Sequence, residues 1–321
     1  MFAVTAGSFD AGNPLNGLVL GDRPDPVAPD GWTTVTVRAA SLNHHDLWTL
    51  KGVGVRAEQL PIVLGCDAAG IDEEGNEVIV HGVIGDPEHA GDETLDPRRT
   101  LLSEKFDGTF AEKVVVPRRN LVPKPPSLTF EEAACLPTAW LTAYRMLFDQ
   151  SGVQPGGTVL VQGAGGGVST ALIALGSAAG YRMWATSRSE SKRKRALELG
   201  ADAVFETGAR LPERVDAVME TVGRATWSHS MRTLRPGGRI VVSGATSGDA
   251  PSAELARVFF LQLQIVGSTM GTRDQLVKLA RFLDVTGVRP RIADVMPLTE
   301  ARAGFAAMHD GELFGKIVFT N

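Results

Sequence analysis

Over the first 120 residues, apolar positions alternate with polar ones in short runs. "TTVTVRAASL" (33–42) has a period of two, "NEVIVHG" (76–82) is β-branched and apolar, and "TFAEKVVVP" (109–117) stops at a proline. Each predicts a strand. Between them "GDPEHAGDETLDPRR" (85–99) is polar without a sustained apolar period, and reads as a loop or lobe with little core of its own. The pattern changes after "VPKPPSLTFEEAACLP", where Ser127 or Thr129 is placed to cap a helix with Glu131 and Glu132 near its positive end. From residue 156 short apolar runs alternate with amphipathic ones. "TVLVQG" precedes "STALIALGSAAG", and "YRMWATS" precedes "ESKRKRALELG". "DAVFE", "VDAVMETVG", "WSHSMRTLRPGG", "RIVVSG" and "LQIVGSTMG" follow. Strands of this kind, separated by helices, predict a parallel sheet covered on both faces.

"GKIVF" (315–319) is a strand that arrives after the alternation has ended. It is expected to return to the first domain. The fold class is therefore α/β, with a discontinuous β-rich domain over 1–121 and 291–321 and a doubly wound parallel-sheet domain over 122–290. The apolar "RVFFLQLQIVG" (257–267) reads as an edge strand, and a second copy pairing along that edge would hide it, so a homodimer is expected.

Composition changes this picture little, but it narrows the function. A chain of 321 residues with 43% hydrophobic and 21% charged residues is that of a globular protein large enough for two domains. A net charge of −5 argues against nucleic acid as the main partner. Two cysteines, Cys66 and Cys135, make no disulfide framework and suit a reducing compartment. No run approaches the ~20 apolar residues of a membrane span, and "MFAVTAGSFDAG" does not read as a leader. A cytoplasmic location is expected.

"VQGAGGGVST" (161–170) is a glycine-rich turn between a strand and a helix, at the start of the alternation. Gly163, Gly165, Gly166, Gly167 and Val168 would bring backbone N–H groups and a helix N-terminus against a pyrophosphate. Ser169 stands where a dinucleotide fingerprint has its last small residue, and it reads as a packing adjustment. The second strand ends in "WATSRSESKRKR" without an acid at its tip. Ser187, Arg188 and Lys192 suit a ribose 2′-phosphate, which points to NADP(H), although part of the basic run is simply a solvated helix face and Glu190 would serve an NAD reading.

Several segments occur together in order: "AASLNHHDLWTLKG", "LPIVLGCDAAG", "GTFAEKVVVPRRNLVPKP", "EEAACLPTAWLTAYRML", "VLVQGAGGGVS", "LELGADAVFE", "LRPGGRIVVSG" and "GKIVF". Over nearly the whole chain they resemble the medium-chain dehydrogenase/reductase superfamily, and within it the zinc-free quinone oxidoreductase-like branch. The resemblance implies a GroES-like catalytic domain beside a Rossmann domain. Zinc-dependent members hold a catalytic zinc through three side chains, whose positions map here onto Asn43, Cys66 and Thr138. Asn and Thr are poor zinc ligands, and residues 85–107 contain no cysteine for a structural zinc lobe, so no metal is expected.

Without a Lewis acid, reduction of an activated double bond is easier than oxidation of an alcohol. The resemblance implies the same chemistry, with Asn43 and Asp46 near the nicotinamide, although a helix cap would explain both residues locally. His45 would bond the nicotinamide ribose or donate a proton, and His44 would lie near the pyrophosphate; a wall or surface position fits each as well. Trp48 would form a flat wall against a planar substrate, or belong to the core. Thr138 and Thr142 would border the nicotinamide or belong to a helix core, and Ser243, Gly244 and Ser268, beyond the last two strands, would approach it through backbone groups. Lys316 would reach a phosphate or lie on a solvated strand. Cys66 and Cys135 read as small buried hydrophobes. The expected activity is an NADPH-dependent, zinc-independent reduction of quinones or enones. An enoyl-thioester reductase is the second reading, and a non-catalytic NADPH-binding protein the third.

Overall fold

The computed structural model describes residues 1–311 and 313–321. The chain divides into two compact units, one made of residues 1–141 and 270–321, the other of residues 142–269.

The first unit begins with β1 (Phe2–Ala6), β2 (Leu18–Asp22), β3 (Trp32–Ser41), α1 (His44–Leu50), β4 (Ile62–Val63), β5 (Ala68–Asp72) and β6 (Glu77–Val80). It continues with β7 (Val83–Ile84), β8 (Thr100–Leu101), β9 (Lys113–Pro117), β10 (Leu121–Pro123) and α2 (Phe130–Ala134). Thr129 caps α2. Its Oγ1 accepts the Glu132 amide at 3.2 Å, and its own amide donates to the Glu132 carboxylate at 3.0 Å. A wider π-helical turn follows over Leu136–Trp140, and α3 (Leu141–Tyr144) after it spans the boundary.

The second unit alternates as the pattern predicts. Its elements are β11 (Thr158–Val161), α4 (Gly167–Ala178), β12 (Arg182–Thr186), α5 (Glu190–Glu198), β13 (Ala203–Phe205), β14 (Val215–Glu220), α6 (Arg224–Thr233), β15 (Leu234–Val242), α7 (Leu255–Phe260) and β16 (Gln264–Gly267). All six strands run parallel in the order β13-β12-β11-β14-β15-β16, the doubly wound arrangement in which ligands meet the carboxyl ends of the strands. The edge strand is shorter than the sequence suggests. Residues 255–260 form α7, and only Gln264–Gly267 pairs with β15.

The first unit then resumes with α8 (Arg273–Thr286), β17 (Ile292–Pro297), α9 (Ala301–Asp310) and β18 (Lys316–Thr320). The late strand does return. Val318 and Phe319 of β18 pair antiparallel with Ser41 and Ala40 of β3, and the sheet runs β10-β6-β5-β3-β18-β17 with β9 also on β3. Phe319, Phe305 and Phe110 pack at its centre, with ring centroids 5.2–6.4 Å apart. The first unit extends further along the chain than the expected boundaries at 121 and 291. The reason is that α2 packs on β3 and β5, while α8 packs on β10 and the 136–140 turn. Among the described residues no helix is long and apolar enough to cross a membrane.

Candidate active site

The chain turns from β3 into α1 at "SLNHHD", and this turn organises a buried polar cluster in the first unit. Asn43 occupies the cap position of α1, but its side chain does not cap. Asp46 does that work, since its Oδ2 accepts the Asn43 amide at 2.8 Å. The other oxygen, Oδ1, accepts the amide of Gly65 at 3.0 Å. Gly65 has φ +93°, and a Cβ there would meet the Thr109 hydroxyl at 2.5 Å, so this close crossing requires glycine. Both Asp46 oxygens are thus committed to backbone, which makes it a positioning residue. Burial raises its pKa to about 6, against the pull of nearby His45.

The Asn43 side chain is free to turn inward. Its Nδ2 donates to Asp67 Oδ2 at 2.8 Å and to the Ser41 carbonyl at 3.2 Å, and its Oδ1 accepts from Lys316 Nζ at 2.5 Å. Ser41 Oγ donates to the same Asp67 oxygen at 2.7 Å. Asp67 is fully buried, and the Lys316 ammonium lies 3.5 Å from its Oδ2 with the Leu42 carbonyl 2.7 Å away. This corrects the sequence reading of Lys316. The residue is 2% exposed and its charge is spent inside the first unit, so it is not presented to a phosphate.

Cys66 lies beside this network. Its Sγ is 3.3 Å from the Thr138 hydroxyl and 3.9 Å from Asn43 Nδ2. It is a buried thiol among polar groups rather than the small buried hydrophobe that the sequence suggested. His45 Nε2 meets Glu104 Oε1 at 3.1 Å, while its Nδ1 is buried and makes no hydrogen bond. Burial alone would lower the His45 pKa. Contact with Cys66 and with Glu104 outweighs it and holds the imidazolium well above an ordinary histidine. Burial pushes the Cys66 thiol up against the opposing pull of His45, and it pushes Cys135, whose Sγ donates to the Glu131 carbonyl, up to about 12. His44 is exposed and Trp48 half-buried, and neither joins the cluster.

These residues do not fit a catalytic zinc. Such a site takes three protein ligands. Ligand atoms of His45, Asp46 and Cys66 lie within 4.8 Å of one another, yet Asp46 is held by two amides. Two donors remain, His45 Nδ1 and Cys66 Sγ. Asn43 is turned to Asp67 and Lys316, and Thr138 offers only a hydroxyl.

In the second unit the glycine turn leaves β11 with Gly163 at φ +80° and enters α4 at Gly167. Gly163, Gly165, Gly167 and Val168 are half-buried and Gly166 exposed, with open space where a Gly166 Cβ would lie. The root of the turn is braced. Thr186 Oγ1 accepts the Gly163 amide at 3.3 Å and donates to Gln162 Oε1 at 2.7 Å. Ser169 is buried in the first turn of α4, as a packing role requires. Ser187 and Arg188 follow β12, Ser243 and Gly244 follow β15, and Ser268 follows β16. The glycine turn and these three segments therefore share the carboxyl end of one sheet. Arg188 is exposed, and Glu190 in the first turn of α5 pairs with Lys194 at 2.8 Å. Lys192 is half-buried in the same turn, and Thr142 is buried at the start of this unit.

Two acids escaped the sequence reading. Glu104 lies just past the polar stretch 85–99, in a segment without a sustained period, so nothing local marks it. Glu220, fully buried at the end of β14, accepts from the amides of Val222 and Gly223 and from Thr226 and Ser230. Its signal was an acid closing an otherwise apolar strand.

Comparison with known proteins agrees with this anatomy. Residues 29–126 match the family described as alcohol dehydrogenase GroES-like domain, and residues 167–284 the family described as zinc-binding dehydrogenase. A crystal structure of an NAD-dependent alcohol dehydrogenase is 36% identical, with a TM-score of 0.93 and full coverage of both chains. The acryloyl-coenzyme A reductase of Sulfurisphaera tokodaii is 29% identical over 95% of this chain and 97% of its own. The crotonyl-CoA carboxylase/reductase of Cereibacter sphaeroides is 28% identical over 86% of this chain and 76% of its own.

Proposed function

This chain belongs to the medium-chain dehydrogenase/reductase superfamily, and from that premise we propose that it is an NADPH-dependent, zinc-independent reductase of α,β-unsaturated carbonyl compounds, with enoyl thioesters as the favoured class. The observation that carries the reading is the donor set. Where zinc-dependent relatives need three ligands, Asn43 and Thr138 supply none and the Asp46 carboxylate is bound to backbone. Alcohol oxidation without a metal lacks its means of stabilising an alkoxide, whereas a conjugated double bond needs only hydrogen-bond donors for the enolate. The similarity to an acryloyl-coenzyme A reductase and a crotonyl-CoA carboxylase/reductase supports thioesters over the quinones and enones that the sequence put first.

NADPH, when bound, supplies the hydride. The amides of the glycine turn and the N-terminus of α4 hold the pyrophosphate. Arg188 and Lys192 answer the 2′-phosphate, and the pairing of Glu190 with Lys194 leaves the tip of β12 without an acid for a ribose hydroxyl. His45, kept protonated by Glu104 and Cys66, holds the proton for the enolate carbon. Asn43, fixed by Asp67 and Lys316, orders the floor of the site. The same reading makes the protein cytoplasmic, where its two free thiols stay reduced. It is also a homodimer, joined through the exposed edge of β16 beside Leu255, Phe259 and Phe260.

The test is NADPH oxidation over crotonyl and acryloyl thioesters, small enones, quinones, and alcohols with NAD+. Thioester reduction with NADPH preferred to NADH by about tenfold or more, a difference of ~1.4 kcal/mol, is the expected result. Turnover of alcohols with NAD+ alone, or tight NADPH binding with no turnover on any substrate, would overturn the reading.

A further inference from the structure

Cys66 has what a nucleophilic thiol needs, and the reduction described above does not use it as one. A competent thiol stands beside a histidine, and the histidine is oriented by a third group. Here Glu104 holds His45 through Nε2, and the second ring nitrogen, Nδ1, is buried and makes no hydrogen bond. The ligand atoms of His45 and Cys66 lie within 4.8 Å of each other. The Thr138 hydroxyl, 3.3 Å from Sγ, is placed to donate to a thiolate. Cys66 itself is covered, while His45 and Thr138 beside it are each half-buried. Cys135 offers a contrast inside the same unit. It is equally buried, and its thiol is tied to the Glu131 carbonyl.

We infer that Cys66 is a covalent acceptor for soft carbon electrophiles, with His45 as its proton partner and Glu104 as the positioning residue for that histidine. The electrophile is an activated alkene, a choice that rests on the reading that this chain handles unsaturated carbonyls. In the addition, sulfur bonds to the β-carbon and the π pair of the double bond moves to the α-carbon as an enolate. The one proton of the Cys66–His45 pair leaves His45 Nδ1 for the α-carbon. The product is a saturated thioether, and no external oxidant or reductant enters. An unsaturated substrate that lingers would therefore mark the protein at this one position.

The experiment is intact-mass and peptide-level mass spectrometry of the native full chain, without NADPH, after timed exposure to N-ethylmaleimide and to methyl vinyl ketone. Cys66 is expected to be modified at least about tenfold faster than Cys135. His45→Gln should remove most of that advantage while the melting temperature stays close to that of the unaltered protein. Cys66→Ser should leave only the slow Cys135 product. Equal labelling of the two cysteines, labelling of Cys66 only after unfolding, or an advantage that survives His45→Gln would overturn the proposal. Because the readout is cofactor-free adduct mass, labelling of Cys66 without reductase turnover would count against the proposed function alone. Turnover without labelling would count against this inference alone.

Discussion

Lys316 and Asp67 face each other in the interior of the first unit, 2% and 0% exposed. A buried ion pair gains little overall, but removing one partner is costly because the other charge is left uncompensated. Lys316→Met should therefore cost about 3–5 kcal/mol in urea unfolding, and adding Asp67→Asn should recover a substantial part of it. A loss below ~1 kcal/mol would mean that the Ser41 and Asn43 donors alone satisfy Asp67. Residue types in the cluster were partly legible beforehand, because "NHHD" is densely polar and "GCDAAG" sets one acid among small and apolar residues. Their partners were not. Whether Lys316 meets a phosphate or a carboxylate depends on which strand lies beside β18, and a strand pairing across more than 270 residues leaves no local mark. Asp46 shows the same limit from the other side. The sequence left its role open between site chemistry and a helix cap, and only the geometry decides for the cap.

Among the elements, the strand-turn-helix units were the most readable, because periodicity and end signals agree. Thr129 is one such signal, and its capping box with Glu132 is formed in both directions. Thr129→Ala should destabilise the first unit by about 1 kcal/mol, while Thr129→Ser should cost only a few tenths. A thermal melt that separates the two variants checks this, and equal melting points would show that packing of α2 on β3 and β5 dominates. Elements failed where an apolar run served two purposes. "RVFFLQLQIVG" has the composition of a strand, yet its first half is helix α7 with Phe259 and Phe260 on the surface. Composition could not divide it, since aromatic residues suit a strand or an exposed contact helix equally.

At the scale of the molecule, the exposed edge of β16 and the aromatic surface of α7 lie together in one chain segment, with Phe260 82% exposed. If two copies pair there, sedimentation should give about twice the 34.1 kDa chain mass. Phe260→Glu should shift the population toward monomer, and a monomeric mass for the unaltered protein at micromolar concentration would remove the dimer. The division into two units was legible as a change of pattern, because parallel strands buried on both faces read differently from alternating ones. Its boundaries were not, since α2 and α8 follow the helical period of the second unit but pack on the sheet of the first. The return of β18 also bears on how the protein is made. The second unit is one unbroken stretch ending at residue 269, whereas the polar cluster of the first unit waits for Lys316. On the ribosome, the parallel sheet can be complete while Asp67 still lacks its cation. A chain clipped before β18 would keep the whole parallel sheet and leave Asp67 buried without its cation.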